Sequence, residues 1–296
     1  MTTQTGAPVS LFTLPSSLMR AACRALPPMV LGFGLLLLAL APATPARAEA
    51  VDDMMEALQI DEILEIMHQE GLSYGADLAN DMFPGGHNDR WGAILKEIYD
   101  PEKMRIVMRG HFADVLGQTD MHRLTAFFGS DLGTRIVQLE LSARRALIDD
   151  DMEAAAREAF RVADPEAPRM RQLTRFVEVG DLLEANVTGA LNASFKFYSG
   201  LVDGGALQMS EGDILSDVWG QEEETRVDTE EWLHAFLMLA YEPLSDEELE
   251  QYIDVSATPE GRVLNRALFA GFNAMYDEIS YALGLAAAEQ MRTQDL

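Results

Sequence analysis

Only one cysteine occurs in 296 residues, Cys23, so nothing downstream of residue 48 can form a disulfide, a thiol nucleophile or a thiolate metal site. That part of the chain has to be stabilised by its core alone, and at 248 residues it is long enough to build one. Basic residues are scarce as well: 22 Lys and Arg stand against 49 Asp and Glu, a net charge of −27. Three of the arginines lie in the first 48 residues, leaving 19 against 49 and a net charge of −30 for the remainder. A field of that sign repels phosphate, which makes nucleic acid and anionic membrane surfaces poor partners and favours cations, basic proteins and solubility at high salt. There is no Gly-x-Ser-x-Gly, no Walker loop, no dinucleotide fingerprint and no His-Glu-x-x-His.

What is present begins with a leader. Residues 1–48 hold no Asp, Glu or Lys, only Arg20, Arg24 and Arg47, and contain the apolar run "MVLGFGLLLLALA" from Met29 to Ala41. A basic stretch, a run too short to span a bilayer comfortably, and the small residues around Ala46-Arg47-Ala48 predict a signal peptide cleaved after Ala48, with no stable membrane span left behind. Counted from Met19, this leader has an ordinary length. Cys23 precedes the apolar run, which is the wrong place for a lipoprotein cleavage site. The expected location is the periplasm.

From residue 49 the pattern is helical. Ile60, Ile63, Leu64, Met67, Tyr74, Leu78 and Met82 fall on one stripe at 100° per residue, with Gly71 on the same line and Glu62 and Glu65 opposite. Trp91 to Tyr99, Glu102 to Leu116, Thr119 to Phe128 and a long segment from near Asp131 read the same way. Prolines at segment starts (Pro101, Pro168, Pro259) and the absence of alternating β-branched runs complete an all-α reading.

The pattern is written twice. Residues 60–86 run without a gap against 179–205 at an offset of 119, matching Leu64 with Leu183, Glu65 with Glu184, Leu72 with Leu191, and the pair Gly85-Gly86 with Gly204-Gly205. At an offset of 120, "GAILKEIY" (Gly92 to Tyr99) meets "GDILSDVW" (Gly212 to Trp219). After an insertion containing "QEEETRVD" the offset becomes 128, and "LGQTDMHRLTAFFGSDLGTRI" (Leu116 to Ile136) meets "LSDEELEQYIDVSATPEGRVL" (Leu244 to Leu264). The expectation is a helical bundle of two copies of one multi-helix unit, residues 49–165 and 166–296. Ser130 and Thr258 are predicted N-caps of long helices, with Gly133 and Gly261 one turn in at a close helix approach, and Ser245 with Glu248 forms a capping box. The doubled glycines are predicted to end helices in a left-handed conformation.

A short acidic helix, an aromatic or aliphatic pair, then Ser/Thr-x-x-Gly opening a long helix ("FFGSDLGTR" and "YIDVSATPEGR") resembles the bacterial export-targeted family called domain of unknown function 2059. The resemblance covers roughly 110–145 and, more closely in its acidic part, 237–275; "GQTDMHRL" departs from the acidic pattern in the first copy. It implies a periplasmic helical protein and brings no activity with it.

Candidate chemistry can be weighed against the other copy. Met104, Met108 and His111, at i, i+4 and i+7, offer two thioethers and an imidazole to a soft metal, but Trp232, Phe236 and Leu239 stand opposite them, which marks core positions. None of the five histidines is matched by a histidine. His87 with Asp89, in the loop after Gly86, is the remaining candidate base and orienter, and Glu65 with Glu184 the candidate carboxylate pair. The loop's glycines recur while His87, the Asp89-Arg90 pair and Trp91 do not, so the residues after the corner read as decoration. "DDDMEAAAREAFRVAD" from Asp149 and "GQEEETRVDTEEW" from Gly220 lack the ligands of a calcium loop and read as solvated helix ends and a loop. No cofactor is expected. The expected function is a periplasmic helical repeat protein with a binding or structural role through protein contacts, against two alternatives: an envelope hydrolase using Glu65 and Glu184 or His87, and an apolar-ligand pocket between the copies.

Overall fold

The computed structural model describes residues 45–83 and 85–294, so the predicted leader lies outside the described residues except for 45–48. Every regular element among the described residues is a helix: α1 (Pro45–Ala57), α2 (Ile60–Met82), α3 (Asp89–Ile98), α4 (Pro101–Leu116), α5 (His122–Phe128), α6 (Asp131–Ala146), α7 (Asp150–Arg161), α8 (Pro168–Gly180), α9 (Leu182–Asp203), α10 (Glu211–Trp219), α11 (Glu222–Tyr241), α12 (Asp246–Ser256) and α13 (Pro259–Gln294). The all-α reading holds. The predicted cleavage point after Ala48 falls in the first turn of α1, where Arg47 Nη2 donates to the Ala113 carbonyl at 2.9 Å.

Several local features of α1–α6 recur along α8–α13, with α7 between them. Gln59 (φ 51°) breaks α1 from α2, and Asp181 (φ 52°) breaks α8 from α9, each a non-glycine residue in the left-handed region. Beyond α2 and α9 the second glycine of each pair takes the left-handed conformation, Gly86 at φ 58° and Gly205 at φ 80°. Gly204 itself is helical, and a Cβ there would meet the Ala288 Cβ at 2.3 Å, so its role is the approach of α13. Ser130 Oγ accepts from Gly133 N at 3.2 Å and donates to Phe127 O at 2.6 Å; Thr258 Oγ1 accepts from Gly261 N at 3.0 Å and donates to Val255 O at 2.7 Å. A Cβ on Gly133 would lie 2.1 Å from Phe127 O and one on Gly261 2.3 Å from Val255 O, so both buried glycines let a long helix start against the end of the short helix before it. Ser245 and Glu248 form the predicted capping box, and Ser210 with Asp213 forms a second.

Helix formation leaves each amphipathic stripe to be covered, and here the two runs of helices cover one another. One apolar cluster joins Met54, Leu64, Trp91, Met108 and Phe112 to Leu191, Phe197, Met275 and Leu283, that is, α1–α4 to α9 and α13. A second joins Ile136 and Ala143 of α6 to α8, α11 and α12. The axis of the arrangement is α13, 36 residues long, which lies along both α9 and α4. It crosses α9 at Gly284, where a Cβ would meet the Phe197 carbonyl at 2.2 Å.

Two segments depart from their sequence reading. The stretch from Gly220 is helix from Glu222 onward, with three glutamates in its first turn that suit the positive end of a helix dipole. α7 is not solvated all round: Glu153 and Arg157 are buried against α11.

Candidate functional site

The carboxylates singled out in the sequence do not converge. Glu65 is exposed on α2 and accepts from Gln69 at 3.4 Å; Glu184 is exposed on α9 and is held by Arg226, whose Nη2 lies 2.9 Å from Oε2. Hydrogen bonding from Arg226 depresses the Glu184 carboxyl, the opposite of what a general acid needs. Both acids are exposed, on separate helices and with separate partners, which does not favour their acting as a pair on a glycosidic bond. His87 is exposed, its backbone N–H donates to Asn80 Oδ1 at 3.1 Å, and its ring makes no hydrogen bond to Asp89, which is exposed in the first turn of α3. Met104 and Met108 are buried at 2 % and 0 % exposure beside Phe112, whereas His111 points to solvent. His111 thus departs from the core position that its alignment with Leu239 predicted, lying at the solvent edge of the face whose methionines are covered. Among the described residues no group of three or more His, Cys, Asp or Glu converges to hold a metal ion.

Trp91 corrects the reading of its loop as decoration. Asn88 caps α3 by accepting from Trp91 N at 3.0 Å, and the indole is fully buried. Its Nε1 donates to the Gly75 carbonyl at 2.7 Å, and it meets Phe83 edge-on at 5.1 Å. Its burial has no counterpart at the aligned residue, Glu211, which is exposed at the start of α10. Leu95 and Tyr99 press onto bare glycine of α2: a Cβ on Gly75 would lie 2.3 Å from Leu95, and one on Gly71 2.2 Å from Tyr99. Their aligned positions on α9 are Ser194 and Ala190, neither of them glycine. Leu215 and Trp219, aligned with Leu95 and Tyr99, stand at 39 % and 47 % exposure, against 1 % and 5 %. Glu211, Leu215 and Trp219 follow one another at i, i+4 and i+8 along one exposed face, and residues 211–224 hold six acids and no base.

Three polar clusters went unnoticed in the sequence. Glu140 of α6 accepts from Tyr241 Oη at 2.5 Å and Tyr252 Oη at 3.2 Å. Burial pushes its carboxyl up to about 7, against the opposing pull of the two hydroxyls. Arg144 of α6 grips Glu70 of α2 through Nε at 2.9 Å and Nη2 at 2.8 Å, with Tyr276 Oη 3.4 Å away. Burial works against that guanidinium, and Glu70 more than offsets it, holding the charge firmly. The third cluster binds α7 to α11: Arg157 reaches Glu153 at 2.8 Å, Asp228 at 3.2 Å and Glu231 at 3.1 Å, Arg161 reaches Glu231 at 2.7 Å, and Phe160 stacks on His234 at 4.8 Å. The i, i+4 spacing of Glu153 and Arg157 was visible; their burial was not, because neither lies on an apolar stripe.

The family model described as uncharacterized protein conserved in bacteria (DUF2059) matches residues 102–161, from α4 through α7. The match covers the first of the two segments that resemble this family and leaves 237–275 outside, although the latter has the more acidic helix. No curated protein and no solved structure matches the chain.

Proposed function

We propose that this chain is an exported, non-catalytic helical protein of the cell envelope, built from two copies of a six-helix unit, that docks a basic partner through α10. The observation behind it is the contrast between Leu95 and Tyr99, buried on α3, and Leu215 and Trp219, exposed on α10. An aliphatic and an aromatic side chain one turn apart make an anchor pair, and Trp is the residue most often found at binding hot spots. The surrounding acids select a partner segment carrying Lys or Arg and repel a second copy of this chain. Export is supported by the leader pattern of residues 20–48 and by the absence of cysteine after it. No helix among the described residues is long and apolar enough to cross a membrane. The shared order of helices, the paired left-handed breaks and the two Ser/Thr-x-x-Gly starts support the duplication.

A photo-crosslinker placed at Leu215 or Trp219 in cells tests the docking face, with one at Val162, 72 % exposed on a different surface, as control. The expected result is one envelope protein trapped from 215 and 219 through a basic segment, weakened by salt, and not trapped from 162. Equal products from all three positions, or none from any, refute the reading. Fractionation with N-terminal sequencing tests export: the expected product is periplasmic and starts at Glu49.

A further inference from the structure

A cavity of about 110 Å³ lies where α2, α6, α9 and α13 meet, bounded by Met67, Arg144, Asn186, Gly189, Phe272 and Asn273. The alignment explains why it is open. Carried along the paired helices, Met67 corresponds to Asn186, Glu70 to Gly189 and Arg144 to Phe272, so the cavity is flanked by equivalent positions of the two units. On one side Glu70 and Arg144 fill the space with a two-bonded ion pair. On the other, a glycine replaces the glutamate and leaves a gap into which only the Asn273 amide leans, with Oδ1 2.6 Å from where a Gly189 Cβ would be.

We infer that this cavity is a binding site for a small neutral molecule with a flat apolar body and one hydroxyl or amide group. Each part of that description follows from a wall. Phe272, Phe269 and Met67 give apolar surface suited to a planar ring. Asn186 uses its Nδ2 on the Leu182 carbonyl at 2.7 Å and keeps its oxygen, while the Asn273 side chain hydrogen-bonds no other described residue. The site thus offers an incoming group both a donor and an acceptor. Neutrality follows because Glu70 already balances Arg144, and because the acidic chain gives an anion no other attraction. An enclosed cavity of roughly 150 Å³ accepts benzene; this one is smaller at about 110 Å³ but open to solvent on one side, so a single ring can enter with its edge left in the mouth. The polar pair separates it from a dry void, which would hold an apolar molecule equally well.

Phenol is the probe, with toluene as its isostere lacking the hydroxyl and benzoate as its charged counterpart, each titrated into the mature protein by saturation-transfer NMR and calorimetry. Saturable one-to-one binding of phenol is expected, with toluene and benzoate weaker by about tenfold or more. Gly189→Val fills the gap and is expected to abolish binding; Asn273→Leu removes the amide, with a melt to check folding, and is expected to bring phenol down to the level of toluene. Absence of saturable phenol binding to the folded protein, or equal affinity for phenol and toluene, overturns the inference. So does unchanged phenol binding by folded Asn273→Leu, which keeps the test decisive if Gly189→Val does not fold.

Discussion

Glu140→Gln should make the protein more stable at neutral pH. The folded chain keeps the Glu140 proton up to about pH 7, whereas an ordinary glutamate releases it near 4.5. Across that interval the folded state binds more protons than the unfolded state, so the contribution is fully present below 4.5 and is lost as pH rises through 7. The displacement of about 2.5 units corresponds to at most about 3 kcal/mol at 1.36 kcal/mol per unit, an upper bound because the side chain is not wholly shielded from solvent. Glutamine keeps an acceptor oxygen for Tyr241 and Tyr252 and cannot ionise, so it escapes the loss. Urea unfolding of both proteins from about pH 4 to about pH 8 should give curves that coincide at the acid end and separate as pH rises, the variant ending higher by up to about 3 kcal/mol. Taking the difference removes the other titrating groups common to both, including Glu153 and Asp228, whose carboxyls burial also raises. A flat difference, or a wild type that gains on the variant as pH rises, would show that the carboxylate is stable where it is and that the hydroxyl bonds outweigh its desolvation.

Arg157→Met leaves Glu153, Asp228 and Glu231 facing one another without their shared cation; about 3 kcal/mol or more should be lost, with hydrogen exchange accelerating first in α7. Gly133→Ala and Gly261→Ala should each cost about 1–3 kcal/mol by pressing a methyl group into a backbone carbonyl that cannot move aside, and thermal denaturation that finds either one neutral would contradict the close approach. Trp91→Phe keeps much of the ring and removes the bond to Gly75 O, for a loss of about 1 kcal/mol or somewhat more in a urea melt.

The helices, their buried faces, the caps at Ser130, Thr258 and Ser245, and the left-handed glycines were legible because each is a local rule with few competitors. A 3.6-residue stripe needs a covered face, a hydroxyl before an open helix end needs a donor, and a glycine pair after a helix supplies the positive φ. Gln59 and Asp181 were not legible, since neither residue type announces a left-handed break. Nor was the pairing of α13 with both α4 and α9, which depends on contacts between residues far apart in sequence. The polar clusters escaped for a related reason: Glu140, Arg144 and Arg157 look like any charged helical residue until tertiary packing closes over them.

The two aligned halves of the sequence agree in some positions and part in others. Where both members are apolar the pair does not by itself identify a core position: Met104 and Met108 are buried, the aligned Trp232 and Phe236 are half-buried, and Leu215 and Trp219 are exposed although Leu95 and Tyr99 are buried. Where one member is polar and the other is not, the copies have diverged, and the difference marks where they stop being interchangeable. Trp91 against Glu211 records that α3 packs tightly on glycine and α10 does not. Glu140 against Leu268, and Arg144 against Phe272, show that an apolar side chain can serve at the corresponding helical position, so helix pairing alone does not require the charged residue. The buried Glu140 and the space over Gly189 lie where the aligned segments differ in residue type, whereas Leu215 and Trp219 keep the apolar character of Leu95 and Tyr99 and differ from them in exposure alone, so asymmetry has to be sought in packing as well as in residue type.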